Sequence, residues 1–311
     1  MNTGQTLVTN TGLSIGNVYF SINSEYPIRI LSHVEKTHEE FRSDVQRLEN
    51  VIGFNVSVVV DDAGSLSERG ELIGETSSWK VYESGDGGRE LIWPSSDGNG
   101  YFWRLVIDKS RLSATVYVGE DWVENDNGTL VIKDIVNYPL DELLFMYAAS
   151  ARDGLLVHSA GCKVYNDIGF IFCGKSGAGK STISKQLLQD DDISLLSDDR
   201  IIIHKKNNSY FMSGTPWPGE AGIAANKTIP LRVLFFLHQS PDNRIEEITP
   251  SDAFKQLLPV STIPWHEKEL LPAVLDFCER SVATIPSFNL YFTREKGVAE
   301  LIKDFTVRQG L

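Results

Sequence analysis

Nine consecutive residues, Gly174-Lys175-Ser176-Gly177-Ala178-Gly179-Lys180-Ser181-Thr182, fit the spacing G-x-x-x-x-G-K-[ST]. In that pattern the glycines let backbone N–H groups wrap around a phosphate chain. Lys180 then reaches the outer phosphates and the Ser181 hydroxyl helps hold Mg²⁺. The context agrees with the motif. Ile168-Gly169-Phe170-Ile171-Phe172 before it is a buried strand pattern, and Thr182 to Leu188 after it reads as a helix. The chemistry implied is binding of a nucleoside triphosphate.

Asp198-Asp199 is the second reactive feature. Only 17 residues lie between Lys180 and Asp198, room for one helix and one strand, Ile193-Ser194-Leu195-Leu196. The two carboxylates are therefore expected beside the glycine-rich loop, at the C-terminal edge of a sheet. Phosphoryl transfer needs a cation on the phosphates and a group that positions the acceptor, and adjacent carboxylates facing opposite ways can divide those tasks. His158 lies on the strand expected to pair with the one feeding the loop. There it can orient a carboxylate or meet the γ-phosphate, or it can be a satisfied core histidine. Gly214-Thr215-Pro216-Trp217-Pro218-Gly219-Glu220 is a stiff turn. Its Glu220 is a candidate metal contact or a surface glutamate, and its Trp217 a wall for a ligand or a core residue.

Other elements must hold these groups. Leu155 to Ala160 and Ile168 to Phe172 form two strands around Asn166-Asp167, which predicts an antiparallel hairpin entering the loop. A helix is expected from Asp141 to about Arg152, with Leu143, Leu144, Tyr147 and Ala148 on its apolar side. Downstream, Arg232 to Leu237 and Asn289 to Phe292 read as strands. Thr249-Pro250-Ser251-Asp252 starts a helix, Thr249 capping and Pro250 in the first helical position. Glu267 to about Val282 reads as an amphipathic helix with Leu270, Leu271, Val274, Leu275 and Cys278 inward, and Gly297 to Phe305 as a last helix.

Residues 1 to about 137 have a different character. Val56 to Val60, Trp79 to Tyr82, Tyr101 to Ile107 and Leu112 to Val118 are strand candidates. Turns at Gly85-Asp86-Gly87-Gly88 and Ser95 to Gly100 separate some of them. One early helix is expected over Lys36 to Asn50, with Phe41, Val45 and Leu48 on one face. The expected architecture is a β-rich N-terminal domain, 1–137, that shapes a cleft or recognises substrate. An α/β catalytic domain, 138–311, follows it, built as a mixed sheet with flanking helices around the loop.

The chain has 311 residues, 41% of them hydrophobic, and a net charge of −13. No run of lysine or arginine provides a footprint for phosphate backbones or anionic lipid, so neither nucleic acid nor a membrane surface is expected as a partner. Three cysteines without C-x-x-C spacing indicate neither a disulfide framework nor a zinc site. The first residues carry no basic segment followed by an apolar one, so no signal peptide is expected. A cytoplasmic protein is expected.

The order His158-Ser159-Ala160-Gly161, the loop, then Leu196-Ser197-Asp198-Asp199-Arg200-Ile201 resembles the catalytic domain of the HPr kinase/phosphorylase family, over roughly residues 140 to 300. That fold is similar in turn to phosphoenolpyruvate carboxykinase. The resemblance implies serine phosphorylation with ATP and Mg²⁺. It implies that His158 is an active-site histidine, that Lys180 contacts phosphate and that Ser181 contacts metal. Asp199 is by implication the base for the acceptor hydroxyl, Asp198 assists the metal or the base, and Glu220 is a later metal ligand. The family's Glu-Ile-Arg-Gly motif is replaced by Glu220-Ala221-Gly222-Ile223. The chain is also similar to HPr-kinase-like enzymes of lasso-peptide clusters, in its Asp141-Glu142-Leu143-Leu144 helix, His158-Ser159 strand and Gly214-Thr215-Pro216-Trp217 turn. Those enzymes modify a precursor-peptide serine, and that acceptor is favoured over HPr. A small-molecule hydroxyl acceptor and a non-catalytic ATP-sensing module stay open, as do ATP against GTP and assembly into a homo-oligomer.

Overall fold

The computed structural model describes residues 7–29, 37–42, 53–61, 70–76, 78–94, 101–119, 122–132, 140–165, 167–295 and 297–311. It is a β-rich mixed α/β protein with two mixed sheets. Among the described residues no helix is long and apolar enough to cross a membrane. The chain divides into two compact units, residues 1–14 with 18–148, and 15–17 with 149–311. The helix Leu140–Ser150 belongs to the first unit through Ala148.

In the first unit the strands are β1 (Leu7–Ile15), β2 (Val18–Arg29), β3 (Gly53–Val60), β4 (Glu71–Glu75), β5 (Lys80–Glu83), β6 (Arg89–Pro94), β7 (Tyr101–Ile107), β8 (Ser113–Val118), β9 (Val123–Asp126) and β10 (Thr129–Ile132), followed by helix α1 (Leu140–Ser150). The sheet order is β4-β5-β6-β7-β8-β3-β2-β10-β9, with β1 on β2. Its middle, β8-β3-β2-β10, is parallel and its flanks are antiparallel. Strict alternation explains β7. Tyr101, Trp103, Leu105 and Ile107 are buried, while Phe102 between them is exposed. Helix α1 is apolar nearly all round, and Phe145 packs on Phe20 with ring centroids 5.8 Å apart. The turn expected at Ser95 to Gly100 and most of the helix expected over Lys36 to Asn50 lie outside the described residues. Within that span Glu39–Phe41 forms a 3-10 turn that buries Phe41.

The second unit runs β11 (Gly154–Val164), β12 (Ile168–Cys173), α2 (Lys180–Leu187), β13 (Ile193–Ser197), β14 (Arg200–Lys206), β15 (Ser209–Gly214), β16 (Thr228–Gln239), β17 (Arg244–Glu247), α3 (Pro250–Leu257), β18 (Ser261–Thr262), α4 (Leu271–Thr284), β19 (Ser287–Phe292) and α5 (Val298–Gln309). The expected hairpin is there. β11 and β12 pair antiparallel, Ser159 opposite Cys173. The length of β11 lets its first half pair with β14 while its second half pairs with β12. β16 likewise begins against β15 and then runs parallel to both β12 and β19.

Two apolar clusters lie on the two faces of this sheet. One takes Ala253 and Leu257 of α3 and Val274, Phe277 and Cys278 of α4, with Val157, Ile171 and Phe236 from the strands. The other takes Ile183 and Leu187 of α2 and Val298, Ile302 and Phe305 of α5. In it Phe235 meets Phe172 at 5.3 Å and Phe305 at 5.3 Å between ring centroids. Burying each such ring is worth about 1.5–3 kcal/mol. α2, which leaves β12, and the last helix α5 therefore cover one face of the sheet, and α3 and α4 cover the other.

Helix α4 starts at Leu271, later than the Glu267 expected from periodicity. Pro272 decides this. It has no N–H to donate and would clash with the carbonyl four residues back, so it is tolerated only in a first turn. The buried face becomes Val274, Phe277, Cys278, Ser281 and Val282. Leu270, Leu271 and Leu275 are only half-buried. The Thr249 cap forms as expected, its hydroxyl oxygen accepting from Asp252 N. The three cysteines are free and buried, and burial pushes the thiol of Cys173 up to about 12.

His204, on β14, is buried with its Nε2 3.0 Å from the Ser213 hydroxyl, which lies 2.7 Å from Thr228 Oγ1. Burial, with some help from Lys206, lowers its pKa from 6.5 to about 4. The neutral ring is thus the folded form. Its stabilisation is complete above the unfolded pKa and disappears as pH falls towards 4. Between pH 7 and pH 4.5 the wild type should lose about 2–3 kcal/mol more unfolding free energy in urea than His204→Gln. Equal losses in the two proteins would refute a neutral buried imidazole.

Candidate functional site

Strand β12 delivers the chain into the loop 174–179 and α2 takes it out. Gly179, the N-cap of α2, has φ +106, and a Cβ there would stand 2.5 Å from Phe292 Cζ. Only glycine meets both conditions. The tip is pinned from outside: Gln239 Nε2 donates to Gly177 O at 2.8 Å, and Arg294 Nη2 lies 3.4 Å from Gln239 Oε1. Lys180 is buried, yet its Nζ donates to Gly174 O at 2.9 Å and Lys175 O at 3.3 Å, so the ammonium is folded under the loop. Burial lowers its pKa, a charge waiting for an anion. Lys175, Ser176 and Gly177 are exposed, and Ser181 and Thr182 are half-buried in the first turn of α2. Free N–H groups of a helix start, loop amides and an ammonium together suit an anion.

Register brings the next group in. His158 on β11 pairs with Arg200 on β14, and Ser159 N donates to Asp199 O at 2.9 Å. The side chains follow. His158 Nε2 is 2.9 Å from Asp199 Oδ1, and Arg200 Nη1 donates to Asp199 Oδ2 at 3.0 Å. Each carboxylate oxygen of Asp199 thus has its own nitrogen partner. Burial acts to raise the Asp199 pKa, but the hydrogen bond from His158 and the charges of Arg200, His158 and Lys180 outweigh it and hold the carboxyl below its ordinary range. Gly174 N lies 3.5 Å from His158 O, so this cluster and the mouth of the loop share backbone.

Asp198 faces the other way, as neighbours on an extended chain must. It is 2% exposed, and its oxygens accept three backbone N–H groups: Gly219 at 2.9 Å and Ile223 at 3.2 Å on Oδ1, Ala221 at 2.6 Å on Oδ2. Gly219 has to be glycine here, since a Cβ would come 2.8 Å from Asp198 Oδ2. This carboxyl is the hub of the 219–223 turn. Glu220 is carried on the same turn with its side chain exposed, and Trp217 is half-buried before it. Thr215 donates its hydroxyl to Arg200 O at 2.9 Å and ties the turn segment to the Asp199 cluster.

Among the described residues no three His, Cys, Asp or Glu side chains form a preformed metal cluster. Mg²⁺ carried by a nucleotide takes most of its ligands from phosphate and water, so a single hydroxyl such as that of Ser181 is a fitting donor. The structure thus gathers His158, Lys180 and Asp199 at one place and turns Asp198 away. Sequence reading did not single out Arg200, although it directly follows the acidic pair, nor Gln239 and Arg294, which only the fold brings to the loop.

No family model matches the chain, and no curated protein matches it either.

Proposed function

We propose that this chain is an ATP-dependent phosphotransferase that moves the γ-phosphoryl group to a hydroxyl, and that the hydroxyl belongs to a serine of a peptide or protein. One observation carries the reading: an ionised carboxylate, Asp199, fixed by His158 and Arg200 and within electrostatic reach of the lysine of a glycine-rich loop. The loop amides and Lys180 would hold the phosphates. Asp199 would accept a hydrogen bond from the acceptor hydroxyl and align its oxygen for in-line attack. The transition state is loose, so the carboxylate needs to orient the hydroxyl more than to deprotonate it early, and a low pKa is no handicap. The phosphate-loop core of the HPr-kinase type, the serine acceptor and a cytoplasmic enzyme belong to this same reading, through the resemblance described above.

Incubation with MgATP and serine-containing peptides, read by mass spectrometry and ADP release, tests it. Acceptor-dependent ADP formation is expected, reduced by about a hundredfold or more in Lys180→Ala, which removes a positive charge from the transferring phosphates. Transfer to sugars or free amino acids but not to peptides would move the acceptor to a small molecule. ATP binding without turnover on any acceptor would make the chain a nucleotide-sensing module.

A further inference from the structure

A cavity of about 360 Å³ opens beside the glycine-rich loop, lined at one end by Cys173, Gly174 and Ala178 and at the other by His238, Gln256 and Pro259. Its size falls in the ~300–1,000 Å³ span of small-molecule sites. Its position has a topological cause. β12 and β16 are parallel neighbours. The chain leaves β12 into α2, packed in the apolar cluster on one face, and leaves β16 towards α3 and α4, packed in the cluster on the other. Where neighbouring parallel strands send their connections to opposite faces, a crevice opens at their C-terminal ends, and ligands bind there. Cys173 ends β12, and Leu237 and His238 stand at the end of β16, so the cavity is that crevice.

The Asp199 cluster lies on the opposite flank of β12, carried by β11 and β14. A nucleotide with its phosphates on the loop has an acceptor at one end of the phosphate chain and a nucleoside at the other. With the acceptor beside Asp199, the nucleoside end points to the β16 flank. We infer that this cavity takes the purine base of the nucleotide and that Gln256 selects adenine; the inference rests on the nucleotide-dependent reading given above.

Hydrogen bonding in the wall supplies the selectivity. Asn289 Oδ1 accepts from Gln256 Nε2 at 3.0 Å and from His238 Nε2 at 3.0 Å. A carbonyl oxygen cannot donate, so His238 donates from Nε2. Gln256, with its amide N–H turned to Asn289, keeps Oε1 as an acceptor. The two lysines of the lining are Lys175, exposed, and Lys255, paired with Asp252 at 3.0 Å, so the acceptor the wall offers to a base is Gln256 Oε1. Adenine presents an exocyclic amine, a donor, while guanine presents a carbonyl oxygen at the same ring position and would face acceptor against acceptor. The ring of His238 is braced by stacking on Tyr291, centroids 5.0 Å apart, which in turn carries Arg244 at 3.8 Å. The apolar remainder of the lining, Phe236, Leu237, Pro259 and Val260, suits a flat heterocycle.

Equilibrium binding of three probes with Mg²⁺ tests this without any acceptor: ATP, GTP and inorganic tripolyphosphate. The wild type should bind ATP about tenfold or more tighter than either of the others. Gln256→Ala should bring ATP to within about threefold of GTP while tripolyphosphate binding stays as in the wild type, which also reports an intact loop. Gln256→Glu keeps an acceptor oxygen but loses the donor to Asn289, so its preference for ATP over GTP should fall between those of the wild type and Gln256→Ala. Three results overturn the inference while the loop reading stands: ATP no tighter than tripolyphosphate, GTP tighter than ATP, or an undiminished ATP preference in Gln256→Ala. Absence of both ATP and tripolyphosphate binding in the wild type would overturn the inference and the reading beneath it together.

Discussion

Asp199→Asn should lower the rate of phosphoryl transfer by about a hundredfold to ten-thousandfold, the range in which a positioned carboxylate contributes. ATP affinity should change by no more than about threefold. The variant is suited to this test because its surroundings can adapt. With Oδ1 towards Arg200 the asparagine keeps the acceptor that Nη1 now uses, and its amide can donate to His158 Nε2 if the ring moves its proton to Nδ1. The cluster then keeps its geometry and loses its charge. The amide group can no longer accept the proton of the attacking hydroxyl. Because the Asp199 pKa lies below the ordinary carboxylate value, the wild-type carboxylate is present at every pH above that value and is lost only in stronger acid. A rate that falls between pH 7 and pH 5 would therefore have its origin in another group. Full transfer activity in Asp199→Asn would eliminate this residue as the group that aligns the acceptor.

Much of the second unit was legible because its signals are local. The glycines and Lys180 declare the loop, the apolar run Ile168 to Phe172 declares the strand before it, and Thr249 with Pro250 declares the start of α3. Strand β14 was harder to read. Ile201, Ile202 and Ile203 are all buried, so the run shows no alternation, and only Asn207 and Asn208, with φ +48 and +62, mark the turn into β15. The start of α4 was misplaced because periodicity outweighed the veto of Pro272. In the site, spacing showed that the acidic pair returns to the loop, and chain parity showed that its members face apart. It did not show which one faces the loop. That depends on the pairing of His158 with Arg200 across 41 residues of sequence separation between His158 and Asp199, and on a turn at 219–223 that needs a buried acceptor. Gln256 and His238 meet only through Asn289, far along the chain from both. No single-sequence pattern marks such a contact.

Asp198→Ala should be the more damaging substitution for folding, at about 3–5 kcal/mol. Three backbone N–H groups, those of Gly219, Ala221 and Ile223, would lose their acceptor at once in a place where Asp198 is 2% exposed. Each buried donor left unsatisfied costs about 1–3 kcal/mol, reduced by whatever water enters the space vacated. Asp198→Asn separates the geometry from the charge. With its oxygen in the Oδ1 place it still serves Gly219 and Ile223, but its amide then points a donor at the donor Ala221 N. It should fall between wild type and alanine, near about 2 kcal/mol. Urea denaturation of the three proteins measures this order directly. The same substitutions sort the two carboxylates by kind of effect. In Asp199→Asn the expected loss is in turnover, with the unfolding midpoint almost unmoved. In Asp198→Asn it is in the midpoint, with nucleotide affinity following only as far as the folded fraction falls. If Asp198→Asn left stability untouched and abolished turnover, the hub of the 219–223 turn would have to be sought elsewhere and the acidic pair would act as one catalytic unit.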